Sequence, residues 1–225
     1  GKKVLIIDAD PQANATSGYG IDPRTMTSSI YECMVDGYPL DGSEVPTCMD
    51  GLFLVGSRID LAGAEIELIS KPDRERVLAR LLAPVKDKYD YIIIDCGLKQ
   101  ELLTVNALSA SDYCIIPVQS HFLASEGIPD VLDMVRSVQK HFNPDLKIAG
   151  ILLTMYQSRA QLCNSVQQSV REIYGDDLHV FERPIEYTIR IAECPMAGMS
   201  ILDYEPGNPA AESYRNLASE VLRLG

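Results

Sequence analysis

Short unbroken apolar runs alternate along the chain with longer stretches in which apolar residues recur every three or four positions. Residues 4 to 8 (VLIID), 91 to 95 (YIIID), 113 to 118 (YCIIPV) and 147 to 156 (KIAGILLTMY) are rich in Ile and Val and end at polar or turn residues. Such runs predict strands buried on both faces. A weaker run, GLFLVGS, covers residues 51 to 57. Amphipathic, helix-length stretches lie between them, at residues 73 to 82, 102 to 109, 127 to 141, 161 to 174 and 210 to 224. In the last of these, Leu217, Val221 and Leu224 recur at helical spacing with Arg215, Glu220 and Arg223 between them. Strand alternating with helix predicts an α/β fold, a mostly parallel sheet with helices on both faces. Ligands of such sheets collect at the carboxyl ends of the strands.

The chain has 225 residues, 46% of them hydrophobic, enough to bury one sizeable core. No repeat and no linker-like segment interrupts it, so a single domain over residues 1 to 225 is expected. A formal charge of −12 opposes wrapping by nucleic acid through the overall field, so any DNA contact must be a local basic patch. The six cysteines are widely spaced without a CxxC pair, as in reduced cytosolic thiols. His121, His141 and His179 follow no metal-ligand spacing. The apolar run after Lys3 is too short for a signal peptide, and no run approaches the roughly 18 apolar residues of a membrane span.

Two of the expected strands end in aspartate, at Asp8 and Asp95, and Asp10 follows two residues after the first. A carboxylate closing a buried strand faces the crevice where phosphates bind, which is how nucleotide sites hold hydrated Mg²⁺. An Asp there also caps a following helix in many proteins. After Asp10-Pro11, the residues Gln12, Asn14, Thr16 and Ser17 crowd polar groups onto one loop.

The segment VLIIDADPQANATSGYG resembles the one that follows the phosphate-loop helix in the ParA and Soj partition ATPases, relatives of MinD. Further blocks keep the family order over nearly the whole chain: RIDLAGAEIELI, PVKDKYDYIIIDC, LLTVNALSASDYCIIPVQ, SEGI, NPDLKIAGILLTMYQSR and IRIAE. The resemblance implies a P-loop NTPase-like fold of the SIMIBI type, with ATP and Mg²⁺ as ligands. It makes Asp8 part of the Mg²⁺ shell, Asp95 the Walker B acid and Asp10 the residue that positions the attacking water. Gln12, Asn106, Gln119, Glu186 and Tyr187 fall where the family lines its nucleotide pocket, and Arg159 and Arg190 where it meets DNA. It further implies a cytoplasmic, nucleoid-associated protein without a membrane role. That protein pairs as a homodimer with ATP, binds DNA nonspecifically and is stimulated by a ParB-like partner.

Three departures qualify this. No GxxxxGK[ST] string occurs in the 225 residues, and Gly1-Lys2-Lys3 aligns beyond the family's first strand-loop-helix unit of about 30 residues. The family's sheet holds that strand beside the Walker B strand. Without it the strands of Asp8 and Asp95 are expected to lack a partner, supplied by chain outside these residues or by a second copy. These residues alone are expected not to hydrolyse ATP at the family's rate, having neither a phosphate cradle nor its lysine. Second, residues 97 to 101 (GLKQE) replace the stiffer Pro-Pro switch that senses the γ-phosphate. Third, Glu186 and Tyr187 replace a Pro-Arg pair that packs near the adenine. The alternative reading is a degenerate, non-hydrolysing relative acting as a scaffold or regulatory subunit.

Overall fold

The computed structural model describes residues 1–97, 101–121 and 125–224. Its strands are β1 (Val4–Asp8), β2 (Val45–Pro46), β3 (Leu52–Val55), β4 (Tyr91–Asp95), β5 (Tyr113–Gln119) and β6 (Lys147–Thr154). The helices are α1 (Asn14–Gly18), α2 (Leu61–Leu68), α3 (Val77–Leu82), α4 (Glu101–Ser109), α5 (Ile128–His141), α6 (Gln161–Tyr174), α7 (Ile189–Ala197), α8 (Ile201–Tyr204) and α9 (Pro209–Val221). The chain gathers into two compact units. The first comprises Gly1–Ser111 with Pro195–Met199, the second Asp112–Cys194 with the residues from Ser200 on.

In the first unit four strands pair in the order β2-β3-β1-β4. β1 runs parallel to both β3 and β4, and only the short β2 is antiparallel. Leu5 and Ile7 of β1 enter a core with Val55, Leu61, Leu68, Leu78 and Leu103, against which Ile92 and Ile94 of β4 pack. Ile6, on the opposite face, is also buried.

The expectation that the strands of Asp8 and Asp95 would stand unpartnered is corrected here. They pair with each other in register, Asp8 opposite Asp95, and β1 has a ladder on both sides. Among the described residues it is β4 that has a single ladder partner.

In the second unit β5 and β6 form a parallel pair. β6 is buried on both faces: Ile151 and Leu153 face a core with Val166 and Val170, while Ala149 and Leu152 meet Phe181 and Ile185. Gly150, with φ +154, is needed where the chain after His179 crosses, since a Cβ would lie 2.8 Å from the His179 carbonyl oxygen. α5 packs Ile128 and Leu132 into the core of Ile151 and Leu153 and also buries Val135 and Val138, one residue every three or four positions.

Burial on both faces holds for β1 and β6 but not for β4 and β5. Ile93 is 55% exposed, and Tyr113, Ile115, Pro117 and Gln119 of β5 are exposed while Ile116 and Val118 are buried. Within their own units these strands have helices packed on one face only, which leaves the alternate residues open.

Candidate functional site

Parallel pairing brings the carboxyl ends of β1 and β4 to the same edge of the first unit, and the ladder continues one step past both strands. The Ala9 N–H donates to the Asp95 carbonyl at 2.7 Å. Asp8 and Asp95 are therefore neighbours by register, fixed by backbone hydrogen bonds rather than by loop conformation.

The chain then turns sharply. The Asp10 carboxylate accepts from the Gln12 N–H at 3.0 Å, and the Asp10 carbonyl accepts from the Ala13 N–H at 2.9 Å. This is an Asx-turn of the kind Asp-Pro sequences favour. Ala13 takes a left-handed conformation, φ +53, unusual for a residue with a Cβ. It is buried, and packing holds it there as the chain enters α1.

α1 brings Thr16 beneath Asp8. The Asp8 Oδ2 atom accepts from the Thr16 N–H at 2.8 Å and from Thr16 Oγ1 at 2.6 Å, while Oδ1 accepts from the Asp10 N–H at 3.2 Å. Both Asp8 and Thr16 are fully buried.

Burial pushes the Asp8 carboxyl above the usual carboxylate range, against the opposing pull of the Thr16 and Asp10 hydrogen bonds. Asp95 is pushed up as well, by desolvation from the atoms crowded around it and then by the charges of Asp8 and Asp10. Its outer edge nevertheless stays open to solvent. Among the described residues no Lys or Arg forms an ion pair with Asp8, Asp10 or Asp95. Three acids thus converge without a cationic partner among the described residues. Gln12 lies exposed on the same loop.

The donors present suit a hard, hydrated cation. They are carboxylate oxygens, of which Asp8 has given three of its four acceptor sites to the protein. Among the described residues no group of three or more His, Cys, Asp or Glu side chains is arranged to enclose a metal. Mg²⁺ fits such a set, because it keeps several waters and takes only one or two carboxylates.

The other residues singled out from sequence fall in three places. Asn106, on α4 of the first unit, is fully buried. Its amide donates to the Arg74 carbonyl at 2.7 Å and the Leu102 carbonyl at 2.9 Å, and its oxygen accepts from the Leu78 N–H at 3.1 Å. The side chain joins α4 to the start of α3, with both amide hydrogens taken by these carbonyls.

Gln119, Glu186 and Tyr187 belong to the second unit. Gln119 is exposed at the end of β5, its Oε1 3.0 Å from His121 Nε2. Glu186 and Tyr187 run beside the end of β6, with the Tyr187 N–H donating to the Tyr156 carbonyl at 2.8 Å. Glu186 lines a cavity of about 290 Å³ with Tyr156, Arg183, Pro184, Pro209 and Glu212.

The two arginines differ. Arg159 is exposed in the turn before α6, with no ion pair among the described residues. Arg190 is bound to Glu193 at 2.8 Å and lies 3.5 Å from Glu205, so its charge is largely answered within its own unit. Of the altered switch, residues 98 to 100 lie outside the described residues. At its start the Gly97 carbonyl accepts from Thr104 Oγ1 at 2.6 Å. Thr16 carried no assigned role in the sequence. Its signal was the polar crowding of the loop after Asp10, which does not say which hydroxyl turns inward.

The chain is similar to known proteins along its whole length. A family model described as an AAA domain matches residues 1–148. Over all 225 residues the chain is 44% identical to the sporulation initiation inhibitor protein Soj of Bacillus subtilis, spanning 88% of that protein. It is 39% identical over 222 residues to the chromosome partitioning protein ParA of Myxococcus xanthus, covering 99% of this chain and 78% of the relative. Among solved structures, cobyrinic acid a,c-diamide synthase from Mycobacterium smegmatis with bound ATP analogue and magnesium superposes with a TM-score of 0.85 at 33% identity, over 99% of this chain and 83% of that one. Apo McdA of Cyanothece, 22% identical with a TM-score of 0.86 over 98% and 88% of the two chains, shares the fold. Strand ends that carry Asp8 and Asp95 in register, on a chain matched from end to end at 44% identity, place it in the ParA and Soj family of partition ATPases.

Proposed function

We propose that the chain works as a ParA-like chromosome- or plasmid-partitioning ATPase. The observation that carries the reading is the meeting of Asp8, Asp10 and Asp95 at parallel strand ends, where no basic side chain among the described residues balances them. Bound Mg²⁺ would neutralise phosphate charge and orient the phosphoryl oxygens. Asp8, rigid and buried, and Asp95, open on one side, hold the metal's water shell. Asp10, fixed by the turn into Gln12, orients a water toward the reacting phosphate, with Gln12 beside it.

Gln119, Glu186 and Tyr187 contribute to the nucleotide pocket. ATP brings two copies together, the dimer contacts DNA without sequence preference, and a ParB-like partner stimulates hydrolysis on the nucleoid. Arg159 is the better-supported DNA contact, because Arg190 already serves Glu193 and Glu205. No helix among the described residues is long and apolar enough to cross a membrane.

Isothermal titration of ATP into the chain, with Mg²⁺ and then with EDTA, tests the reading. Binding that requires Mg²⁺ supports it. Binding indifferent to Mg²⁺, or none, contradicts it.

A further inference from the structure

Asp8 is held by a chain of donors that begins on a different strand. Ser57, two residues past the end of β3, donates its N–H to Thr16 Oγ1 at 2.9 Å. A hydroxyl has one proton, and a carboxylate only accepts, so with Ser57 donating to the oxygen the Thr16 proton points to Asp8 Oδ2. The three groups form a one-way relay, Ser57 N–H to Thr16 O–H to Asp8, and each member is fully buried. Hydrogen bonds in series polarise one another, which strengthens the last one, onto the charged group.

The relay is also clamped sterically. A Cβ on Gly56 would lie 2.6 Å from Met26 Cε, the end of a flexible side chain, and 3.0 Å from Thr16 Cγ2, so a side chain there moves Met26 aside and presses directly on Thr16. The Gly56 carbonyl accepts from the Ile30 N–H at 2.9 Å, and Arg58, the residue after Ser57, donates to the Met26 carbonyl at 3.1 Å and pairs with Glu32. The end of β3 is therefore fixed from both sides. It in turn fixes the hydroxyl that occupies Oδ2.

We infer that Thr16 is a positioning residue for the metal-facing carboxylate: it saturates Asp8 Oδ2 and so commits Oδ1 to the cation. This rests on the reading of Asp8 as part of the Mg²⁺ shell. Oδ1 carries one internal donor, the Asp10 N–H, and keeps one acceptor site. With both Thr16 donors in place the carboxylate cannot rotate without breaking two hydrogen bonds in a water-free setting, and partners of this kind around metal ligands are worth about 10- to 100-fold in affinity. Without the hydroxyl, Ser57 N–H loses its acceptor and Asp8 its strongest donor, and the carboxylate is free to turn.

Mn²⁺, whose free ion gives a sharp magnetic-resonance signal, is the probe, titrated into the full chain and four variants whose folding is checked by circular dichroism. Thr16→Val keeps the shape and removes the hydroxyl, and Mn²⁺ affinity should fall about tenfold or more. Thr16→Ser restores the hydroxyl and should bind within about threefold of the parent, on the same reasoning. Gly56→Ala, which crowds Thr16 and Met26 without altering either, should weaken Mn²⁺ binding between those limits. If Thr16→Val does not fold, the Ser and Gly56 variants still decide the matter. Parent-like affinity in Thr16→Val or Gly56→Ala overturns the inference, as does a Ser variant as weak as a folded Val variant. Asp8→Asn separates the two levels. If it binds Mn²⁺ as the parent does, the metal reading of Asp8 is wrong. If it loses binding while Thr16→Val does not, only the positioning role fails.

Discussion

The first unit and the second both present the carboxyl ends of a parallel strand pair, and the two ends are chemically opposite. Where β5 and β6 end, Ser120 closes the ladder on itself. Its N–H and its hydroxyl both donate to the Thr154 carbonyl, at 2.9 and 2.8 Å, and the exposed Gln119 beside it is neutral. Where β1 and β4 end, a buried carboxylate, a second one raised in pKa by its surroundings and a third on the following turn form no ion pair with a Lys or Arg among the described residues. The same backbone geometry thus yields a self-satisfied end and an end in electrostatic deficit. A fold tolerates such a deficit where a ligand completes it.

The comparison can be sharpened by substitution. The largest effect is expected inside the first unit, where Asn106 ties α4 to the start of α3. Asn106→Ala leaves the buried Leu78 N–H and the Arg74 carbonyl without their side-chain partner and should cost about 3 kcal/mol in urea unfolding. Next comes Asp10→Ala, which should lower ATP turnover, at whatever rate the chain sustains it, about 100-fold with nucleotide affinity little changed. Equal losses of affinity and turnover would move Asp10 from water positioning to binding.

Asp95→Asn should act in the opposite direction on stability. It removes a charge that desolvation disfavours and that Asp8 and Asp10 repel, and because the exposed edge of Asp95 screens that repulsion the metal-free chain should gain less than about 1 kcal/mol, the trade of stability against function expected at such sites. That gain has a pH signature. Because folding raises the Asp95 pKa, the folded state binds protons more readily than the unfolded one, and the parent is stabilised as pH falls from the raised value toward the ordinary carboxylate range. The advantage of Asp95→Asn is therefore full near neutrality and fades through that window. An advantage constant with pH would mean the gain is not electrostatic. The smallest effect belongs to the neutral end, where Gln119→Ala should change stability by less than about 0.5 kcal/mol at any of these pH values.

Much of this architecture was legible in the sequence because its signals are local. β1 and β4 match the VLIID and YIIID runs residue for residue, and α6 matches its predicted 161 to 174, because continuous β-branched runs and a clear helical period leave little choice. α2 was not foreseen. Leu61, Ala64 and Leu68 are buried while Ile66 is 75% exposed, so apolar residues surround the helix and no periodic stripe exists to read. Nor was the one-sided burial of β4 and β5, since a run of isoleucines looks the same whether one face is covered or two.

The site divides in the same way. Asp8 and Asp95 could be read because a strand-ending aspartate is visible along one dimension. The roles of Asn106 and Thr16 depend on Arg74, Leu78 and Ser57, residues distant in the chain that only folding brings near. Arg190 looked like a free cation until its helix placed Glu193 one turn away and its unit placed Glu205 beside it.

In the proposed function, a divalent cation carried with nucleotide completes the acidic end of β1 and β4. The most direct test is the thermal midpoint of the chain and of Asp95→Asn, each with ATP and Mg²⁺ and again with ATP and EDTA. A ligand at a hundredfold its dissociation constant stabilises by about 2.7 kcal/mol. The parent should gain several degrees on adding Mg²⁺ with ATP, and Asp95→Asn, though the more stable of the two in EDTA, should gain little. Equal gains in both proteins would contradict the claim.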